Sequence, residues 1–178
     1  LTQETKDTID HLESISTSMD IARLEEDLVQ IKEELTEYGY IKRHYTGGKK
    51  VKITSRPFHY LSSDGFHIYV GKNNYQNDEL TFKIATGNDW WFHAKASAGS
   101  HVIVKAEGKE LPDRTFEEAS RLAAHYSKAC EQGKAEIDYI QKKHIKKPNG
   151  SKPGFVVYYT NYSMTISTDI TGIQEVTE

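Results

Sequence analysis

Lys72, Asn73, Asn74, Gln76 and Asn77 crowd one short turn of this 178-residue chain, directly after Gly71. Lysine supplies a point charge for phosphate, primary amides pair donors with acceptors, and a glycine lets backbone N–H groups approach a ligand closely. Further on, Trp90, Trp91, Phe92 and His93 run together, and Gly99-Ser100 leads into His101 and the apolar Val102-Ile103-Val104. Amides, ammonium groups, imidazoles and flat rings suit contacts to phosphates, ribose hydroxyls and base edges. Bond chemistry would need more. His93, His101 and Asp89 are the metal candidates, but Cys130 is the only cysteine and no HxH or HExxH spacing occurs. Ser100 beside His101 suggests a nucleophile and a base, yet adjacent side chains on an extended strand point to opposite faces. No catalytic group, metal or cofactor is expected.

An Asn-rich stretch after a strand is often turn chemistry alone, although four amides within residues 73–77 exceed what a turn needs. Residues 142–154 read KKHIKKPNGSKPG and hold Lys142, Lys143, Lys146, Lys147 and Lys152 without an acid. That is a phosphate clamp or a solvated surface. Strand alternation sets Trp91, His93 and Lys95 on one face and Trp90, Phe92 and Ala94 on the other. Trp90 and Phe92 are expected in the core, with His93 and Lys95 exposed.

Periodicity sets the elements that must hold these groups. Ile21, Leu24, Leu28, Ile31, Leu35 and Tyr38 step by 3 and 4, the seam of an amphipathic helix or coiled-coil stub. Ile9, Leu12, Ile15 and Met19 form an earlier stripe, out of phase with it, so a break is expected between Met19 and Ile21. Residues 41–54 read as a basic linker, and 55–178 as the globular body. Expected strands are Phe58–Leu61 and Phe66–Val70 around a Ser62-Ser63-Asp64-Gly65 turn, then Trp90–Lys95, His101–Lys105, Ile137–Ile140, Phe155–Thr160 and Met164–Ser167. Helices are expected from Asn77 to Ala85 and from Thr115 to Cys130, each capped at its first residue. Strands bunched around two helices, without βαβ alternation, imply an α+β fold with a largely antiparallel sheet, preceded by the helical segment of residues 1–40.

Charge is unevenly spread. Residues 1–40 hold eleven acids against Lys6, Arg23 and Lys32, a balance of −8. The whole chain is −3, so the remainder is +5. A basic body on an acidic stalk suits a polyanionic partner. A single cysteine fits a reducing cytoplasm. There is neither an apolar run of membrane-spanning length nor a signal-peptide pattern, so no membrane insertion is expected and a surface role would need an unconventional route. The chain opens at Leu1 inside a helical pattern, as a piece of a longer protein would.

The run YVGKNNYQNDELTFKIATGNDWWFHAKASAGSHVIV at residues 69–104, with the later KKPNGSKPGFV, resembles the RNA-binding C-terminal domain (NFACT-R) of the NFACT family over roughly residues 20–170. That resemblance implies ribosome-associated quality control. Family members bind large ribosomal subunits carrying a stalled peptidyl-tRNA and help add a C-terminal tail, alanine in bacteria, to the nascent chain. It implies ribosomal RNA and tRNA as partners and residues 1–40 as the end of a coiled-coil arm. The expected RNA-facing set is Lys72, Asn73, Asn74, Gln76, Asn77, His93, Lys95, Ser100, His101, Lys146, Lys147 and Lys152. Streptococcal relatives described as fibronectin-binding adhesins give the alternative, a surface protein binding fibronectin.

Overall fold

The computed structural model describes residues 2–43 and 52–177. Most of the expected basic linker, residues 44–51, lies outside the described residues. Helices α1 (Gln3–Ile21) and α2 (Leu28–Glu37) come first, joined through a 3₁₀ turn at Glu25–Asp27. The body follows with strands β1 (Phe58–Leu61) and β2 (His67–Val70), helix α3 (Asn74–Glu79) running into a π-helical turn (Leu80–Ile84), β3 (Trp90–Ala94) and β4 (Val102–Val104). Helix α4 (Asp113–His125), β5 (Lys134–Gln141), β6 (Tyr162–Ser167) and β7 (Gln174–Glu175) complete it.

The seven strands form one antiparallel sheet in the order β6-β5-β3-β4-β2-β1-β7, so the fold is α+β. Side chains alternate across the pleat, and here both faces are covered. Phe92, Val102, Val104, Ile68, Val70, Phe58 and Tyr60 pack beneath Ala119, Leu122 and Ala123 of α4. Opposite, Trp91, Ile103 and Ile140 pack with Leu80, Ala85 and Ile145. Trp91, expected on the exposed face, is therefore fully buried, while Trp90 is half-buried against the edge of Phe116.

Several element boundaries differ from the sequence reading, among them the end of α4, which stops at His125 with a separate 3₁₀ turn at Lys128–Gln132 in place of the expected run to Cys130. The first helix runs on to Ile21, and the break falls at residues 22–27, where Asp27 accepts the backbone N–H groups of Arg23 and Leu24. Helix α3 starts three residues early because Asn73, not Asn77, caps it by accepting the Gln76 N–H. Helix α4 starts at Asp113, leaving the Thr115 hydroxyl to donate to Ser62 and Asp64 in the first hairpin. The expected strand Phe155–Thr160 is absent. That segment is a strap held by one bridge, Lys146 to Val157, and turned at Gly154 with φ +82°. Strand β7 was not anticipated, being only two residues long.

Candidate nucleic-acid interface

The amide turn lies inside the protein. Lys72, Asn73, Asn74, Gln76 and Asn77 are all buried, where sequence chemistry placed an open ligand surface. Their partners come mostly from α2 and the turn before it. Lys72 Nζ donates to Asp27 Oδ1 at 3.0 Å. Asn73 and Gln76 both donate to Gln30 Oε1 at 3.0 Å. Asn74 donates to Glu34 Oε2 at 3.0 Å and to Ser14 of α1 at 2.9 Å, while Tyr75 donates to Glu37. Asp27, Gln30, Glu34 and Glu37 step by 3, 4 and 3, so one polar stripe of the arm reads the turn residue by residue. A buried polar group without a partner is costly, and this matching lets a polar interface close.

The interface is anchored by ionised and imidazole groups. Burial pushes the Asp27 carboxyl up, but hydrogen bonds from Ser55, Lys72 and two backbone N–H groups outweigh it and hold the group below its usual range. His11 Nε2 lies 2.8 Å from Glu34 Oε2, and its Nδ1 lies 2.9 Å from the Tyr40 hydroxyl, which ties α1 to α2. Gly71 permits the tight approach beneath: a Cβ there would stand 2.0 Å from Asn77 Oδ1. That oxygen accepts the His101 N–H, linking the turn to β4.

His101 is a structural group. Its Nε2 lies 3.0 Å from the Gly154 carbonyl, so that nitrogen carries the proton, and Nδ1 accepts the Thr81 hydroxyl at 2.8 Å. Burial, then the neighbouring His93, holds its imidazole well below the usual range, in the neutral form. His93 is half-buried, also held low by burial, and lies flat beside Trp91 and edge-on to His101. Asp89 does not join them. It accepts Lys105 Nζ at 2.6 Å and the N–H groups of Thr86 and Ala106. Ser100 is buried and its hydroxyl has no partner among the described residues, so no base reaches it. Among the described residues no three metal-ligating side chains converge.

The lysine loop is divided by role. Lys147 Nζ donates to the carbonyls of Lys152 and Phe155 and pairs with Asp78 at 3.3 Å, while Asp78 also accepts the Gly154 N–H at 2.9 Å. Asp78, which sequence reasoning missed, thus pins the loop against α3. Lys143 and Lys146 are exposed, and Lys142 and Lys152 half-buried. None of these four has an ion-pair partner among the described residues. Lys142 begins a short 3₁₀ turn, and the backbone N–H groups of Lys142 and Lys143 donate to the carbonyls of Asp89 and Gly87. Lys95 is exposed, 3.3 Å from Glu136. The amide turn and the lysine loop are therefore contiguous, the first as scaffold and the second as surface.

Residues 56–159 match the family described as NFACT protein RNA binding domain. The chain belongs to the NFACT family. It is 45% identical over 159 residues to the Rqc2 homolog RqcH of Streptococcus suis, covering 89% of this chain and 28% of that protein. To the Rqc2 homolog RqcH of Bacillus subtilis it is 39% identical over 145 residues, 80% of this chain and 25% of that protein. The chain thus spans less than a third of the curated NFACT relatives it matches. The solved C-terminal part of the fibronectin/fibrinogen-binding protein from Streptococcus suis superposes with a TM-score of 0.87 at 41% identity, covering 97% of this chain and 69% of that one. That fold is shared over nearly the whole of this chain.

Proposed function

We propose that this chain is the RNA-contacting end of a ribosome-associated quality-control factor. In that reading the whole protein docks on large ribosomal subunits carrying peptidyl-tRNA and supports C-terminal tailing, with alanine, of the stalled nascent chain. The observation that carries the RNA role is a row of lysines without an ion-pair partner among the described residues, Lys142, Lys143, Lys146 and Lys152, on a loop fixed by Asp78 and Lys147. Fixed positive charge binds a phosphate backbone by releasing counterions, and holding the loop in place beforehand lowers the entropic cost. Lys95 is exposed beside Glu136, and His93 is half-buried. Lys72, Asn73, Asn74, Gln76, Asn77, Ser100, His101 and Lys147 shape the surface from below. Exposed Ile9, Leu12, Met19, Leu24 and Leu28 on the helix hairpin support its reading as the end of a coiled-coil arm. Among the described residues no helix is long and apolar enough to cross a membrane.

Photo-crosslinking from positions 143 and 146 of the full-length protein in cells tests this. Large-subunit ribosomal RNA or tRNA should dominate the recovered RNA. Recovery of unrelated messenger RNA, or of no RNA, would refute the assignment. A second reading, binding of host fibronectin at the cell surface, is favoured by the name of the streptococcal structural relative. Fibronectin captured by the purified protein with little dependence on salt would support it.

A further inference from the structure

Sheet edges offer rows of unpaired backbone groups, and proteins blunt them with charges, prolines, bulges or very short strands. The β7 edge follows this rule, with two residues and a backbone bond from Val176 N–H to the His59 carbonyl beside it. The β6 edge does not. Tyr162-Ser163-Met164-Thr165-Ile166-Ser167 runs six residues without a charge, a proline or a glycine, and among the described residues pairs only with β5. Tyr162, Ser163, Thr165 and Ser167 are exposed along it. The Thr168 N–H bonds inward to the Gly133 carbonyl. Antiparallel alternation then turns the N–H and C=O groups of Ser163, Thr165 and Ser167 outward.

We infer that β6 pairs with β6 of a second copy, extending the sheet across a two-fold axis. Self-pairing must match outward residues with outward residues, and the register centred on Thr165 does so. Thr165 then faces Thr165 of the second copy, Ser163 faces Ser167, and Met164 faces Ile166. A two-fold axis perpendicular to the sheet keeps each face on its own side. The two Thr165 hydroxyls therefore meet, the Met164 thioether meets the sec-butyl group of Ile166, and no charge on the strand meets another. The Ser163 and Ser167 hydroxyls stay bonded within their own chain, to Asp138 and to the Asp169 N–H. Directly opposed Thr–Thr and apolar pairs stabilise antiparallel strands, whereas like charges there would repel. That self-complementarity selects a second copy as the occupant. A C2 interface of this kind closes on itself and adds no new open edge at the joint.

The pairing is short, so the association is weak, and it is tested by sedimentation of the 178-residue chain from about 1 μM to about 1 mM. A monomer–dimer equilibrium is expected, with amide protection at Ser163, Thr165 and Ser167 rising with concentration while that of Met164 and Ile166 stays constant. Thr165→Lys places two ammonium groups face to face and should weaken the dimer by about tenfold or more. Thr165→Val should retain it. Because Thr165 is exposed, neither change should move the melting temperature of dilute protein. Thr165→Cys in a Cys130→Ser background should oxidise to a disulfide-linked dimer. A monomer at every concentration, a dimer indifferent to Thr165→Lys, or an edge that takes up only extended peptides from other proteins would overturn the inference.

Discussion

Lys72 and Asp27 show how chemistry legible in the sequence was redirected by the fold. The lysine and amides were recognised as hydrogen-bonding groups in excess of a turn's needs, and that excess is real. Their partners are Asp27, Gln30 and Glu34 instead of an open ligand. The polar 3-4-3 stripe of the arm was present in the sequence, but the apolar seam beside it drew the reading, and Leu24 and Leu28 of that seam are exposed. Lys72→Met should leave Asp27 buried without its cation and cost about 3 kcal/mol or more, read as a shift in denaturant midpoint at unchanged slope. Adding Asp27→Asn to that variant removes the unpaired charge while keeping an acceptor for the Arg23 and Leu24 N–H groups, and should recover part of the loss. His101 sets a pH dependence. Its folded pKa is depressed, so its stabilising contribution is complete above the unfolded value near 6.5 and is lost as pH falls below it. Below about pH 6.5 the slope for this group should rise towards ~1.4 kcal/mol per pH unit. Denaturation at several pH values should show that slope, and His101→Gln should flatten it at some cost in stability.

At the scale of elements, α1 and α2 meet the body largely through polar groups, with Ile21 and Arg23 adding packing against Phe58 and the core around it. The main apolar clusters lie between the sheet, α4 and the strap. Removing residues 1–51 should therefore leave a body that melts cooperatively but several degrees lower, since the freed amides regain water while the lost contacts are not replaced. Calorimetry decides this: molten or insoluble material would make the hairpin part of the body's core. Strands were legible where alternation was strong and a Ser-Asp-Gly turn fixed the pairing, as in β1 and β2. The strap at 155–160 has the same apolar, aromatic composition as a strand. What keeps it out of the sheet is Asp78, remote in sequence, holding Gly154 and Lys147. No local pattern signals that contact.

For the whole molecule, the acidic arm and basic body divide the charge as the composition implied, and their contact uses Asp27 on one side and Lys72 on the other. Lys142, Lys143, Lys146 and Lys152 of the loop have no ion-pair partner among the described residues, and they are the centre of the RNA-binding account. Equilibrium RNA binding measured against salt concentration tests that account most directly. Wild-type protein should lose affinity steeply with salt. The Lys142→Ala, Lys143→Ala, Lys146→Ala triple variant should fold normally, bind more weakly, and show a salt slope shallower by about one unit for each phosphate contact removed. A triple variant with the wild-type affinity and slope would contradict the account and leave the loop as solvated surface.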